Sequence, residues 1–407
     1  MSGNEIDPTI VTPVKGPGFF GGLLSGPGLP GFAARVGARM ARRSGKPFRL
    51  ASKVIVARHA DVCDLLDRDL EFGIAAVNAV KIGEVNGGPF VLGMDRSAVL
   101  EIERRALYSA LHAVDMAALR QRAEAEIAQI LAAVPRGGKV DAVGGYARPV
   151  AAHTAQRLFG ITGTNDGMFM EAVRSVFAHT FLNIGNDETI RQRAIRAGKY
   201  MGGWLADEIA RRRAVGETGD DMMGHLLSQG IVDDDGARRT LGGMLVGSID
   251  TTATCVAKIL FLAGRDRELR AGIEADLDDI DRLYGWCNEA LRRWPHNPIV
   301  IRKASVDCSL AGFPIKAGED VYAWTQAAMQ DESVFPDPGL LRPDRDPAAY
   351  LHMGAGVHPC SGRPVNWFQI PLLVAGLVRR DLVRVGRIGW AGSFPNRLPV
   401  TLGEARS

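Results

Sequence analysis

No two of the five cysteines (Cys63, Cys255, Cys287, Cys308 and Cys360) are spaced as Cys-x-x-Cys, and their number is odd. That excludes a zinc ribbon and a disulfide framework, and it fits a reducing compartment. An excess of one charge is also missing. The 49 basic and 46 acidic residues leave a net charge of +3, too little to argue for nucleic acid. No uninterrupted apolar run approaches the length of a membrane span, so no membrane partner is expected. Residues 1–13 lack the basic start and apolar stretch of a signal peptide, which points to the cytoplasm. The glycine fingerprint of dinucleotide folds and the phosphate-cradling loop are absent as well.

What the chain has is apolar mass: 46% of its 407 residues are hydrophobic, enough for a large core. Residues 15–31 are dense in Gly and Pro. We expect residues 1–31 to form a flexible segment, pinned at Phe19 and Phe20, and residues 32–407 to form one domain. A short basic helix with a solvated face is expected at 32–43, two strands within 48–57 and a helix at 60–66. Residues 69–95 are Gly, Asn and small apolar residues without clear periodicity, and read as a long candidate substrate-facing loop. Helical patterns then cover 97–112, 116–134, 143–159, 166–182, 188–215, 220–228, 236–262, 268–277 and 279–294. Arg211, Arg212 and Arg213 close one of them and read as a solvated face. Short strands at 299–321, an irregular stretch at 335–350, a helix at 365–378 and final short strands complete a mainly α chain with small β sheets.

Three stretches carry chemistry. Residues 353–362 read Met-Gly-Ala-Gly-Val-His-Pro-Cys-Ser-Gly, a loop in which Gly354, Gly356 and Gly362 permit close backbone approach around Cys360. The helix that follows opens at Pro364, and the field of its first turn favours loss of the thiol proton. Glu289 and Arg292 are three apart on a helix, hence on one face and able to pair. Asp250 lies in an otherwise apolar helix beside Thr251 and Thr252, just after Gly247 and Ser248, a pair that favours a kink. An opened helix beside an acid and a hydroxyl is a plausible proton path.

In order and spacing these three stretches resemble the cytochrome P-450 superfamily of haem-thiolate monooxygenases, over nearly the whole chain. The resemblance implies that Cys360 is the axial thiolate ligand of haem b, and that Glu289 and Arg292 are the structural Glu-x-x-Arg pair. It also implies that Asp250 and Thr251 are the acid and alcohol of the oxygen-activating helix, next to Gly247, while Gly356 and Gly362 shape the ligand loop. Arg302 and His358 match positions that hold the haem carboxylates. The family's usual His is missing from the helix at 97–112, and Arg104 is the expected replacement, with Arg105 close behind. Such a thiolate pushes electron density onto iron and favours O–O cleavage, which requires delivered protons.

Several positions depart from the family pattern. Met353 stands where Phe is usual, Ser248 where a second glycine is, and Leu340 where the arginine completing a triad with Glu289 and Arg292 is expected; Arg342 or Arg345 is the substitute. Asn366, Trp367, Phe368 and Gln369 replace the usual run after the cysteine. The resemblance implies a soluble bacterial-type enzyme that takes electrons from a separate ferredoxin and ferredoxin reductase, with Arg363 a candidate docking cation. A small apolar substrate is expected, lined from residues 74–91, 181–184, 244–250, 297–300 and 393–394. The alternatives are a peroxide-driven peroxygenase or rearranging enzyme, and a haem sensor without turnover.

Overall fold

A computed structural model describes residues 29–403 apart from positions 44, 163, 164, 184, 392 and 393. The segment with Phe19 and Phe20 lies outside the described residues. The chain is mainly helical with small sheets, as its periodicity implies, and by packing it divides into two compact units built from interleaved segments.

Among the described residues, the first unit takes in 78–123 and 148–251. Five of its helices start where a short polar side chain caps free backbone N–H groups. Ser97 caps Ala98–Ala113, Asn165 caps Asp166–Phe177, Asp187 caps Glu188–Val215, Asp221 caps Met222–Gln229 and Asp233 caps Asp234–Val246. Glu188–Val215 ends at Gly216, whose φ of 68° is the left-handed stop that glycine allows. Near that end Arg212 is not solvated. It is 2% exposed and paired with Glu208 and Asp221, because its fork also reaches the Gly160 carbonyl at 2.8 Å.

The stretch 69–95 is not a loop. It holds a strand, Phe72–Gly73, a helix, Ala75–Asn86, and a short turn, Val91–Gly93. Glycines on two other helices let this segment in. A Cβ at Gly198 would lie 2.0 Å from the Val85 carbonyl oxygen, and one at Gly242 would lie 2.4 Å from Asn86 Oδ1. Charged groups pin it as well. Glu84 accepts from Arg191 at 2.8 Å and pairs with His179 at 3.0 Å, and Lys81 donates to the Asn183 carbonyl at 2.7 Å.

The second unit takes in described residues of 16–77, 124–147 and 252–407. Its main sheet has five strands in the order Phe48–Leu50, Lys53–Val56, Asp320–Ala323, Val300–Ala304 and Phe72–Gly73. Alternation puts Val54, Val56, Val321 and Ala323 on the buried side. A second sheet joins Lys139–Asp141, a strand in the gap between two expected helices, to Pro399–Leu402 and Leu382–Val385. Helices Ile280–Arg293 and Arg363–Arg379 pack together.

Candidate functional site

The loop 353–362 is shaped by two residues that only glycine tolerates. Gly354 and Gly356 have φ of 70° and 69°. A Cβ on Gly356 would meet the Leu66 carbonyl oxygen at 2.1 Å. The loop closes on itself through the Cys360 N–H, which donates to Met353 O at 2.8 Å, and through Arg363 Nη2, which donates to Gly354 O at 2.6 Å. Met353 is buried and fills the space where a larger ring was expected. The helix then runs Arg363–Arg379 with Pro in its first turn. Burial pushes the Cys360 thiol up; the Gly362 N–H and the Arg363 charge oppose that without overcoming it. The expected fall through the helix field alone is thus outweighed by desolvation.

Glu289 and Arg292 do meet. Both side chains are fully buried, and two bonds of 2.8 Å join the guanidinium to the carboxylate. Burial opposes ionisation of Glu289, but Arg292, the Tyr350 hydroxyl at 2.8 Å and the Arg342 N–H hold its pKa below the usual range. Arg345, 3.5 Å from Glu289 and 8% exposed, is the arginine that stands in for the one missing at Leu340. The Arg342 side chain instead turns to Asp337 near the surface. Arg292 spends its remaining donors on the carbonyls of Met329, Pro338 and Leu340, so the pair ties the irregular stretch to its helix.

The helix expected at 236–262 breaks where Gly and Ser adjoin, into Asp234–Val246 and Asp250–Ala263. Ser248 Oγ donates back to Leu245 O at 2.7 Å, and the Thr251 hydroxyl bonds back to the Gly247 carbonyl. Asp250, 8% exposed, is not unpaired as the sequence left it. Arg148 donates Nε and Nη2 to its Oδ1 at 2.9 and 2.7 Å, and Arg174 Nε lies 3.5 Å from Oδ2. Neither arginine is signalled by spacing to Asp250, since they sit 102 and 76 residues earlier.

The other expected contacts are spread out. Arg302, 4% exposed, donates Nη1 to Ile301 O at 3.0 Å within the main sheet. His358 lies in the cysteine loop, partly buried. Arg104 lies in the first unit with its guanidinium over the Tyr108 ring. Asn366 faces Thr252 at 3.5 Å. Residues 184 and 393 of the expected pocket lie outside the described residues. One cavity of the first unit is lined by Val85, Asn86 and Val246 from the expected stretches, together with Met201 and Arg238, which were not expected.

A cytochrome P450 family model matches residues 168–380, more than half of the chain. The chain belongs to the cytochrome P450 family. It is 30% identical to the mycinamicin IV hydroxylase/epoxidase of Micromonospora griseorubida over 74% of this chain and 75% of that protein. It is 27% identical to the 6-deoxyerythronolide B hydroxylase of Saccharopolyspora erythraea over 61% and 60% of the two. Among solved structures, CalO2 covers 92% of this chain and 97% of its own with a TM-score of 0.80 at 20% identity, which shows the shared fold. This cytochrome P450 is accordingly an oxidoreductase, a haem-thiolate monooxygenase acting on organic molecules with electrons from redox partners.

The residues present fit a haem. A haem brings its own ring donors and asks a single axial ligand of the chain, which the lone sulfur of Cys360 suits. The two positive-φ glycines give the loop a close-packed backbone around a single sulfur, and its neighbour His358 suits a group that carries carboxylates.

Proposed function

We propose that Cys360 is the axial ligand of haem b and that the protein oxidises a small apolar molecule with dioxygen and electrons from a ferredoxin and its reductase, in the cytoplasm. The observation that carries the reading is the cysteine loop, a lone thiol in a backbone cradle that two glycines make possible. The bound haem supplies the activation of dioxygen. The chain supplies position and protons.

In this reading Glu289 and Arg292 hold the irregular stretch against the Ile280–Arg293 helix, and Arg302, His358 and Arg104 partner the haem carboxylates. Gly247 leaves its carbonyl to the Thr251 hydroxyl, whose lone pairs stay free to accept a proton donor. Asp250 is anchored through Oδ1 by Arg148, so Oδ2 is the less engaged oxygen and the one that takes and releases the proton. By their names, the relatives above act on mycinamicin IV and 6-deoxyerythronolide B; here the stretches 244–250 and 297–300 are mostly small and aliphatic, which favours apolar contact with the substrate.

Reduction of the purified protein under carbon monoxide tests the ligand, and a Soret band without the red shift of thiolate ligation overturns it. Turnover with a surrogate ferredoxin system, set beside turnover with peroxide, tests the electron source. Activity driven by peroxide alone and untouched by Thr251→Ala would replace the monooxygenase by a peroxygenase, and haem binding with neither activity by a sensor.

A further inference from the structure

The helix Ala75–Asn86 buries only Val85 and Asn86, so polar contacts hold it in place, and one of them runs through a histidine. That histidine comes from the end of the Asp166–Phe177 helix, which widens into a turn where the Asn183 N–H donates to the Ala178 carbonyl, five residues back, at 2.9 Å. His179, inside the turn, is 1% exposed. Its Nε2 lies 3.0 Å from Glu84 Oε2, and its Nδ1 lies 3.1 Å from Asn183 Nδ2.

Two main-chain groups decide which proton His179 carries. Asn183 Oδ1 accepts from the Asp187 N–H at 2.7 Å and Nδ2 donates to the Asp187 carbonyl at 2.9 Å, so the amide cannot turn over. Its second N–H therefore faces His179 Nδ1, which must accept. The single ring proton is then on Nε2, where it is donated to Glu84. Only the neutral imidazole satisfies this pattern. A further proton on Nδ1 would set N–H against N–H at 3.1 Å inside a buried turn. The charges that face the ring are Glu84 and Lys81 on Ala75–Asn86 and Arg191 on Glu188–Val215. Glu84 favours an imidazolium, but Arg191 already holds that carboxylate through Nε and Nη2 at 3.0 and 2.8 Å. Burial, joined by the Lys81 and Arg191 charges, keeps the ring below its usual range.

We propose that His179 is a proton-operated latch: neutral, it fastens Ala75–Asn86 to the turn at 178–187, and protonated, it releases both. The proton comes from solvent and no covalent bond to carbon changes. Lys81, which donates to the Asn183 carbonyl at 2.7 Å, lets go with the turn. Once released, the ring meets water and takes a proton more readily than when fastened, so the balance shifts to release as pH falls below about 6.5. Val85 and Asn86, next to Glu84, line the cavity shared with Val176 and Met201, and the latch decides whether that wall stays shut. Every residue of the latch lies in the first unit, so it is independent of the reading of Cys360.

The test is amide hydrogen exchange on the haem-loaded protein between pH 5 and 7.5, expressed as protection after correction for the pH dependence of chemical exchange. Protection in 78–86 and 178–187 is expected to fall on acidification more steeply than in Met222–Gln229 of the same unit, by up to about tenfold per pH unit. His179→Gln still donates to Glu84 but takes no proton, and is expected to remove the excess fall. Asn183→Asp keeps an acceptor for the Asp187 N–H and turns an oxygen toward Nδ1, which suits the imidazolium. It is expected to remove or reverse the excess fall, and it serves if His179→Gln does not fold. A wild-type fall no steeper than in Met222–Gln229, or an excess fall retained in either variant, overturns the proposal.

Discussion

Gly356 shows how much one backbone angle decides. Its φ of 69° and the Leu66 oxygen 2.1 Å from a hypothetical Cβ leave no room for alanine. Gly356→Ala is expected to cost on the order of 3 kcal/mol and to prevent haem loading, measured by denaturant unfolding and by haem content. Arg345 and Arg342 make a sharper pair, because the sequence offered both. Arg345 lies against the fully buried Glu289, and removing a partner from a buried charge is costly, so Arg345→Ala should lose roughly 2 kcal/mol. Arg342→Ala removes an exposed pair with Asp337, and a loss below about 0.5 kcal/mol is expected from the same unfolding curves. The arginine could not be chosen from sequence alone, since both sit in an irregular stretch where no periodicity says which side faces in.

The elements differ in how openly they announce themselves. Glu188–Val215 could be read to the residue, because Asp187 caps it and Gly216 ends it. Ala75–Asn86 could not. Its only buried residues are Val85 and Asn86, so it has no apolar stripe, and it is held instead by glycine notches and by Arg191 and His179 far along the chain. Glu84→Ala should therefore loosen residues 178–191 selectively, seen as faster amide exchange there with little change elsewhere. The broken helix lies between these cases. The kink was legible in Gly247 and Ser248, but the arginines that hold Asp250 were not, because ion pairs across a hundred residues leave no local mark. Arg148→Gln frees Asp250 Oδ1 from its charge partner; coupled turnover is expected to fall at least tenfold, read as product formed per electron consumed.

Across the molecule the buried basic groups tilt stability toward alkaline pH. His352 titrates at about 3 when folded and near 6.5 when unfolded, so between those values the unfolded chain binds more protons and stability falls as pH falls. At pH 5 that is on the order of 2 kcal/mol for His352 alone. His296 acts in the same direction from about 6.5 down to about 4. Lys258 extends it upward, because its folded pKa of about 7 lies below that of an exposed lysine. Glu289 adds to the acid side, since its lowered pKa contributes stability that is lost as pH falls. Thermal melts should drop between pH 7 and 5, and His352→Phe should reduce that drop; an unchanged drop would show that His352 gains a partner in the folded protein. The fold class and the three motif stretches were legible because helix periodicity and glycine-rich loops are local. The burial of Lys258 and His352 was not, since neither position carries a pattern until the chain is folded.

The pairing in the main sheet also sets how late in synthesis that sheet can close. Lys53–Val56 lies parallel to Asp320–Ala323, its neighbour toward the middle of the sheet, and Lys53 and Asp320 are 267 residues apart. A ribosome adding about 5–20 residues each second needs roughly 15–50 s to deliver that partner. Throughout that interval an early strand carries an unsatisfied edge, and the cysteine loop has not yet been synthesised. Haem capture at Cys360 is thus a late event in biosynthesis, and chaperone demand should fall on the first fifty or so residues of the sheet region while they wait.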